Sequence, residues 1–197
     1  MNCRSMPNQP LMNVIAGNNG AGKSTITAIL LQHLYLGEVI DADAIAKELN
    51  AKFPEQVGLS AGREVLRRVK KCINTRRDFC IETTLSGGNA IRQMYAAKQS
   101  NFEITLYYVG LPSVELHISR VAARVRAGGH FIAEQVIRDR YDRSIRHVSQ
   151  ALSWVDHAVF IDNSLAPTVV LQWDSGITQY AADPLPNWIT RIDSLKH

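Results

Sequence analysis

Cysteine is scarce in this chain, and the three present, Cys3, Cys72 and Cys80, show neither CxxC nor Cys/His metal-ligand spacing. An odd number of unpatterned thiols excludes a disulfide framework and a structural zinc site as organising devices. They read as reduced side chains of a cytoplasmic protein. Long apolar runs are also missing. None approaches the ~18 residues that a bilayer-spanning helix needs, and the N-terminus lacks the basic-then-apolar order of a secretory signal, so no membrane partner is expected. Charge of one sign is not in large excess: 22 Lys and Arg stand against 18 Asp and Glu. That balance favours anionic ligands in general but shows no clustered basic stripe, and nucleic acid is not expected as a partner. Repeats and low-complexity tracts are absent.

What is there fits one domain: 197 residues that are 46% hydrophobic suffice for a single core. Residues 1–10 are polar and irregular and read as a flexible leader before a domain spanning 11–197. The first apolar run, Leu11 to Ala16, predicts a strand that feeds a glycine-rich loop. Helical spacing from Thr25 to Tyr35 and a short strand from Glu38 to Asp41 complete a βαβ unit. The alternation continues with helices near Ala61 to Asn74 and Asn89 to Gln99, and strands Phe79 to Glu82, Glu103 to Val109 and Ala158 to Ile161. This order predicts an α/β fold with a mainly parallel five-stranded sheet and helices on both faces. Between the last two strands, Ser113 to Ala127 and Ala133 to Trp154 are helical and rich in arginine around Gly128-Gly129-His130, which suggests a helical lid over about 113–150. Val169 to Trp173 and Ile177 to Tyr180 flank Asp174-Ser175-Gly176 as a small hairpin.

The segment Gly17-Asn18-Asn19-Gly20-Ala21-Gly22-Lys23-Ser24-Thr25 carries the pattern G-x-x-x-x-G-K-[ST] between a predicted strand and helix. Its glycines let main-chain amides turn onto phosphate oxygens, Lys23 brings a point charge to the β and γ groups, and Ser24 offers an oxygen to Mg²⁺. ATP and Mg²⁺ are the cofactors this predicts, and the fold becomes a kinase-type P-loop NTPase.

Ligands of an open α/β sheet lie beyond the carboxyl ends of its strands. Asp41 and Asp43 end the second strand, and one of them is placed to take a proton from an attacking hydroxyl; Asp43 is the stronger candidate, with an N-cap of the helical stretch Ala44 to Leu49 as its structural alternative, and Asp41 has a structural or substrate role. Glu82-Thr83-Thr84 closes the third strand, where Glu82 and Thr84 suit sugar hydroxyls or water around a metal. Arg120, Arg124, Arg126, Arg138 and Arg140 flank His130, and a closing lid would bring two or three of these guanidiniums to the charge that develops in phosphoryl transfer.

In order from about Leu11 to Ser164, the phosphate loop, Val39-Ile40-Asp41-Ala42-Asp43, Ile81-Glu82-Thr83-Thr84-Leu85-Ser86-Gly87, the run Arg120 to His130, Arg138-x-Arg140-Tyr141 and Asp162-Asn163-Ser164 together resemble the zeta-toxin-like P-loop kinases, in the short branch often labelled predicted ABC-type ATPases. Neither an LSGGQ helix with its usual continuation nor an hhhhDE strand supports the ABC label. The resemblance implies a kinase whose founding members phosphorylate the 3′-hydroxyl of the sugar in UDP-N-acetylglucosamine and are restrained by a small helical antitoxin. It makes Asp43 the general base, Glu82 and Thr84 substrate ligands, and Arg124, Arg126, Arg138 and Arg140 the field of lid arginines. Asn163 would pass near adenine. From the residues themselves, Asp41, Arg120 and Arg138 are candidates to border the substrate, and His130 either touches it or caps backbone at the lid hinge. Any antitoxin would be a separate chain, and the acceptor would be a small molecule. Two other readings are open: a nucleotide-binding interaction module that transfers nothing, and a kinase of nucleic-acid ends.

Overall fold

The computed structural model describes residues 9–192 and 195. Cys3 and residues 1–8 of the expected leader lie outside them; Pro10 is buried, and its carbonyl accepts from the Glu103 amide at 3.0 Å.

A seven-stranded sheet forms the centre, in the order β2-β3-β1-β4-β5-β6-β7. β1 (Leu11–Ala16), β2 (Glu38–Ile40), β3 (Phe79–Thr83), β4 (Glu103–Gly110) and β5 (His157–Asp162) are all parallel. β1 lies in the middle, buried on both faces over Met12 to Ala16, which accounts for its continuous rather than alternating apolar character. The sheet is wider than the five strands predicted. β6 (Thr168–Asp174) and β7 (Ile177–Ala181) do form the hairpin, but β6 pairs antiparallel with β5, Phe160 opposite Leu171, so the hairpin extends the main sheet. Pairing satisfies the amides that an edge β5 would expose, and it buries Val170 and Leu171.

The helices are α1 (Lys23–His33), α2 (Ala42–Leu49), α3 (Gly58–Asn74), α4 (Gly88–Gln99), α5 (Val114–Arg126) and α6 (Glu134–Leu152). They divide unequally between the faces. The main core joins Met12, Val14, Leu106 and Phe160 of the sheet to Val69 of α3, Met94 of α4 and Val148 of α6. On the other face two smaller clusters set Ile26 and Leu30 of α1 against Val109, Ile161, Ile15 and Cys80.

Two features change the sequence-based picture. Of the stretch expected as a lid, α6 is a pillar of the core, because Ile137, Tyr141, Ile145, Val148 and Leu152 are buried along one face; the exposed part is the end of α5 and the turn that follows it. Basic residues are also more clustered than the linear composition suggests. Arg63, Arg67, Lys70 and Lys71 are all exposed on α3.

The chain continues past the hairpin into the core. Trp188 is fully buried against Tyr108 and Phe160, and its indole lies where a Cβ on Gly110 would sit, 2.4 Å away. Only glycine at the end of β4 leaves room for that ring.

Candidate active site

β1 ends at Ala16, between Thr83 of β3 and Tyr108 of β4 in register, so the loop Gly17 to Gly22 opens where the strand order diverges from β1 to both sides. Gly17 N–H donates to the Thr83 carbonyl at 3.2 Å, which starts the turn. Gly22 precedes α1 in the left-handed region, at φ 95°, and a Cβ there would meet Asn163 Nδ2 at 2.3 Å. No side chain caps α1 and its first turn holds no acid. The positive end of a helix of 11 residues is therefore left for an anion.

The loop is pinned from three elements. His117 of α5 is buried and meets the Asn19 carbonyl through Nδ1 at 2.9 Å. Burial pulls the His117 pKa down to about 4, so the ring is neutral and Nδ1 carries the hydrogen that the carbonyl accepts. Arg140 of α6 donates to Asn19 Oδ1 at 2.9 Å, and Asn18 Nδ2 donates to the Ile137 carbonyl of α6 at 3.0 Å. After β5, Asn163 Nδ2 donates to the Ala21 carbonyl at 2.8 Å, and Arg120 holds the Asn163 and Ser164 carbonyls at 2.8 and 2.9 Å. Asn163, expected beside adenine, thus braces the glycine loop, and Arg120, expected beside substrate, holds Asn163 in place. The side chain of Asn18 faces inward, and its Oδ1 is buried without a partner among the described residues.

Lys23 opens α1 with its ammonium folded back toward the Asn18 carbonyl, 3.4 Å away. Burial lowers its pKa; Glu82, Asp43 and Asp41 act in the opposite sense, and the Arg124 charge adds to the lowering. Acids and arginine therefore meet around one amine. Ser24 Oγ donates to Glu82 Oε2 at 3.1 Å and Thr27 Oγ1 to Glu82 Oε1 at 2.5 Å, while Thr25 is exposed in the first turn. Burial raises the Glu82 pKa against the pull of the Thr27 bond. Glu82 accordingly belongs to the Ser24 side, as a candidate organiser of metal water rather than a sugar ligand. Thr84 bonds Ser86 at 2.8 Å.

The two aspartates after β2 separate cleanly. Both oxygens of Asp41 accept the first amides of α2, from Asp43 at 3.2 Å and Ala44 at 3.1 Å. Asp41 is therefore the cap, and α2 begins at Ala42, two residues earlier than the sequence suggested, because a carboxylate two and three residues ahead of those amides satisfies both. Asp43 is exposed, released from capping, and its charge bears on both Lys23 and Arg140.

Two of the five expected arginines, Arg140 and Arg124, bear on the site. Burial lowers the Arg140 pKa, Arg143 adds to the lowering and Asp43 opposes it, which places Arg140 at the site. Arg124 is exposed, acts on Lys23 and donates to the His130 carbonyl at 3.2 Å. Arg138 pairs with Glu115 at 3.0 Å and Glu134 at 2.6 Å, so the substrate role expected of it passes to a link between α5 and α6. Arg126 and His130 are exposed in and after the last turn of α5. His117 was missed by the sequence reading; a histidine on an amphipathic helix carries no local sign that it reaches a loop 98 positions away.

These residues fit a nucleoside triphosphate with its metal: an uncapped helix start, the Lys23 ammonium, and a serine hydroxyl beside a half-buried carboxylate. Comparison with known proteins gives the family and the fold. A family model described as zeta toxin matches residues 2–170. A relative from Haemophilus influenzae, described as an uncharacterized protein, is 38% identical over 125 residues, covering 64% of this chain and 88% of the relative. A structure from the PezAT chromosomal toxin-antitoxin system of Streptococcus pneumoniae aligns with a TM-score of 0.68 at 18% identity, over 96% of this chain and 81% of that one. AvrRxo1-ORF1:-ORF2 with ATP aligns with a TM-score of 0.65 at 14% identity, over 89% of this chain and 61% of that one. At these identities the two structures establish a shared fold.

Proposed function

Because the chain belongs to the zeta toxin family, we propose that it is a phosphotransferase that uses ATP and Mg²⁺ to phosphorylate a hydroxyl of a small molecule, with UDP-N-acetylglucosamine or another UDP-sugar as the acceptor class. When bound, Mg²⁺ and ATP supply the transferable γ-phosphoryl group and part of the charge that offsets it. The chain supplies the rest. Amides of Gly17 to Thr25 and the α1 N-terminus hold phosphate oxygens, and Lys23 neutralises them. Ser24 is the metal's protein ligand, with Glu82 beside it; among the described residues no group of three His, Cys, Asp or Glu is arranged to hold an ion alone. Asp43 accepts the acceptor's proton, and Arg140 and Arg124, with Arg126 at the exposed end of α5, stabilise charge on the transferring group. The Streptococcus pneumoniae neighbour belongs to a toxin-antitoxin system, which supports a toxin restrained by a separate antitoxin chain.

One observation carries this reading: Asp41 takes the cap and leaves Asp43, two residues on, as a free carboxylate whose charge reaches both Lys23 and Arg140. The test is ADP release across a panel of UDP-sugars. Asp43→Asn is expected to lower acceptor-dependent release by about 10² to 10⁴, while calorimetry shows ATP affinity within about threefold of the parent. Asp41→Ala should instead lower thermal stability through the lost cap, by about 1 kcal/mol. Undiminished transfer by the Asp43 variant removes it as the base, and ADP release that ignores every acceptor favours the non-transferring nucleotide module.

A further inference from the structure

The charge of this protein is not spread evenly. α3 carries five of the 22 Lys and Arg residues, Arg63, Arg67, Arg68, Lys70 and Lys71, and one of the 18 Asp and Glu residues, Glu64. Its surplus equals the +4 of the whole chain, so everything outside this helix is balanced.

The surplus is also directional. Ala61, Val69 and Cys72 anchor one side of α3 in the core. On the opposite side Leu59, Arg63, Leu66 and Lys70 follow one another at helical spacing, within about 60° of arc at ~100° per residue, with Arg67 and Lys71 flanking them. Leu59 is 85% exposed and Leu66 45% exposed. Arg67 is held by Glu64 at 2.6 Å, and Arg68, turned toward α2, by Glu48 at 2.6 Å and Glu64 at 2.9 Å. Among the described residues Arg63, Lys70 and Lys71 have no ion pair.

We propose that this face of α3 docks an acidic amphipathic helix of a partner protein. Two leucines seven residues apart present apolar ridges two helical turns apart, the spacing at which a facing helix repeats its own apolar positions. The cations beside them match Asp and Glu on the flanks of that helix, and such complementarity sets both partner choice and encounter rate. A polyphosphate backbone would be met by the cations but leaves Leu59 and Leu66 without a role. An anionic membrane is disfavoured because two leucines amid four exposed cations give too narrow an apolar band to immerse. Since α3 is fixed to the core by its other side, the surface is rigid before binding. The proposal does not depend on phosphoryl transfer.

A synthetic amphipathic helix with leucine at positions a and d and glutamate at e and g serves as the probe, read by fluorescence anisotropy and by amide shifts on the ¹⁵N-labelled protein. Saturable binding is expected, with the largest shifts at Leu59, Arg63, Leu66 and Lys70. The double variant Arg63→Glu, Lys70→Glu should weaken binding by at least ~10-fold. Leu59→Ser with Leu66→Ser, at unchanged charge, should weaken it by ~5-fold or more, and the same peptide with lysine for glutamate should not bind. All these positions are exposed, and ATP affinity reports that each variant is folded. The proposal is overturned if the acidic peptide does not bind, if binding is indifferent to the leucines, or if duplex DNA or phosphatidylglycerol vesicles bind this face more tightly than the peptide.

Discussion

The two ends of the parallel strands solve opposite problems. At the amino ends the polar groups pair with one another. The Leu11 amide is accepted by Asp78 Oδ1 and the Ile104 amide by Asp156 Oδ2, both at 2.9 Å; Lys98 pairs with Asp156; and His157 lies between Asp174 at 2.8 Å and Glu103 at 3.2 Å. At the carboxyl ends the protein assembles an uncapped helix start, a partly buried ammonium, a buried neutral histidine and a carboxylate with a raised pKa. The first end is closed by pairs that satisfy themselves. The second is held open by long-range bonds from α5, α6 and the loop after β5, and its remaining donors are left for a ligand. Groups with displaced pKa values gather where chemistry is to be done.

The sharpest way to break the contrast is at Lys23. Lys23→Ala should lower kcat/KM by about 10² to 10³ in the ADP-release assay; a change of less than about tenfold would deny the carboxyl end its electrostatic role. Arg140→Ala should follow with a loss of about 10², because it removes both the charge near Asp43 and the bond to Asn19. Arg124→Ala is expected to cost less and Arg126→Ala least, an ordering that steady-state kinetics of the three variants checks.

The two histidines sharpen the comparison through pH. His117 has a folded pKa of about 4, below its ordinary 6.5. The unfolded chain therefore binds more protons between those values, and the stability His117 contributes at neutral pH is lost as pH falls, by about 3 kcal/mol in all. Urea unfolding at pH 7 and pH 4.5 measures it, and His117→Gln should flatten that dependence. His157 moves the other way. Burial alone would lower its pKa, but the Asp174 hydrogen bond and the charges of Asp174, Glu103 and Asp156 outweigh it. Its contribution is complete below the ordinary histidine pKa and is lost as pH rises through the elevated one. With the ring 41% exposed, the effect is expected below ~1 kcal/mol, a small fall in melting temperature between pH 6 and pH 8 that His157→Gln removes.

Much of this was legible beforehand because it is local. The glycine loop between strand and helix, the alternation of elements, and the hairpin at Asp174-Ser175-Gly176 each have a signature within a few residues. What escaped depends on contacts that no window contains. Asp41 and Asp43 both stand at a strand-to-helix junction, and only the exact start of α2 decides which one caps it. Asn163 and Ala21 are 142 positions apart, Arg140 and Asn19 121. The hairpin was recognisable by its turn, but whether it stood apart or joined β5 depends on which edge was open. The α3 stripe was there to be read at helical spacing; an overall charge of +4 concealed that one helix holds all of it.

Trp188 gives the order of synthesis a meaning. Its indole donates to Asp162 Oδ2 at 2.8 Å, Asp162 also receives the Ser164 amide and hydroxyl, and the adjacent Asn163 braces Ala21. The glycine loop, ending at Gly22, is translated before the last prop in this relay, which is made some 166 positions later. A nascent chain on the ribosome would carry the complete motif with that support still missing, so its affinity for nucleotide should mature only once Trp188 has cleared the exit tunnel.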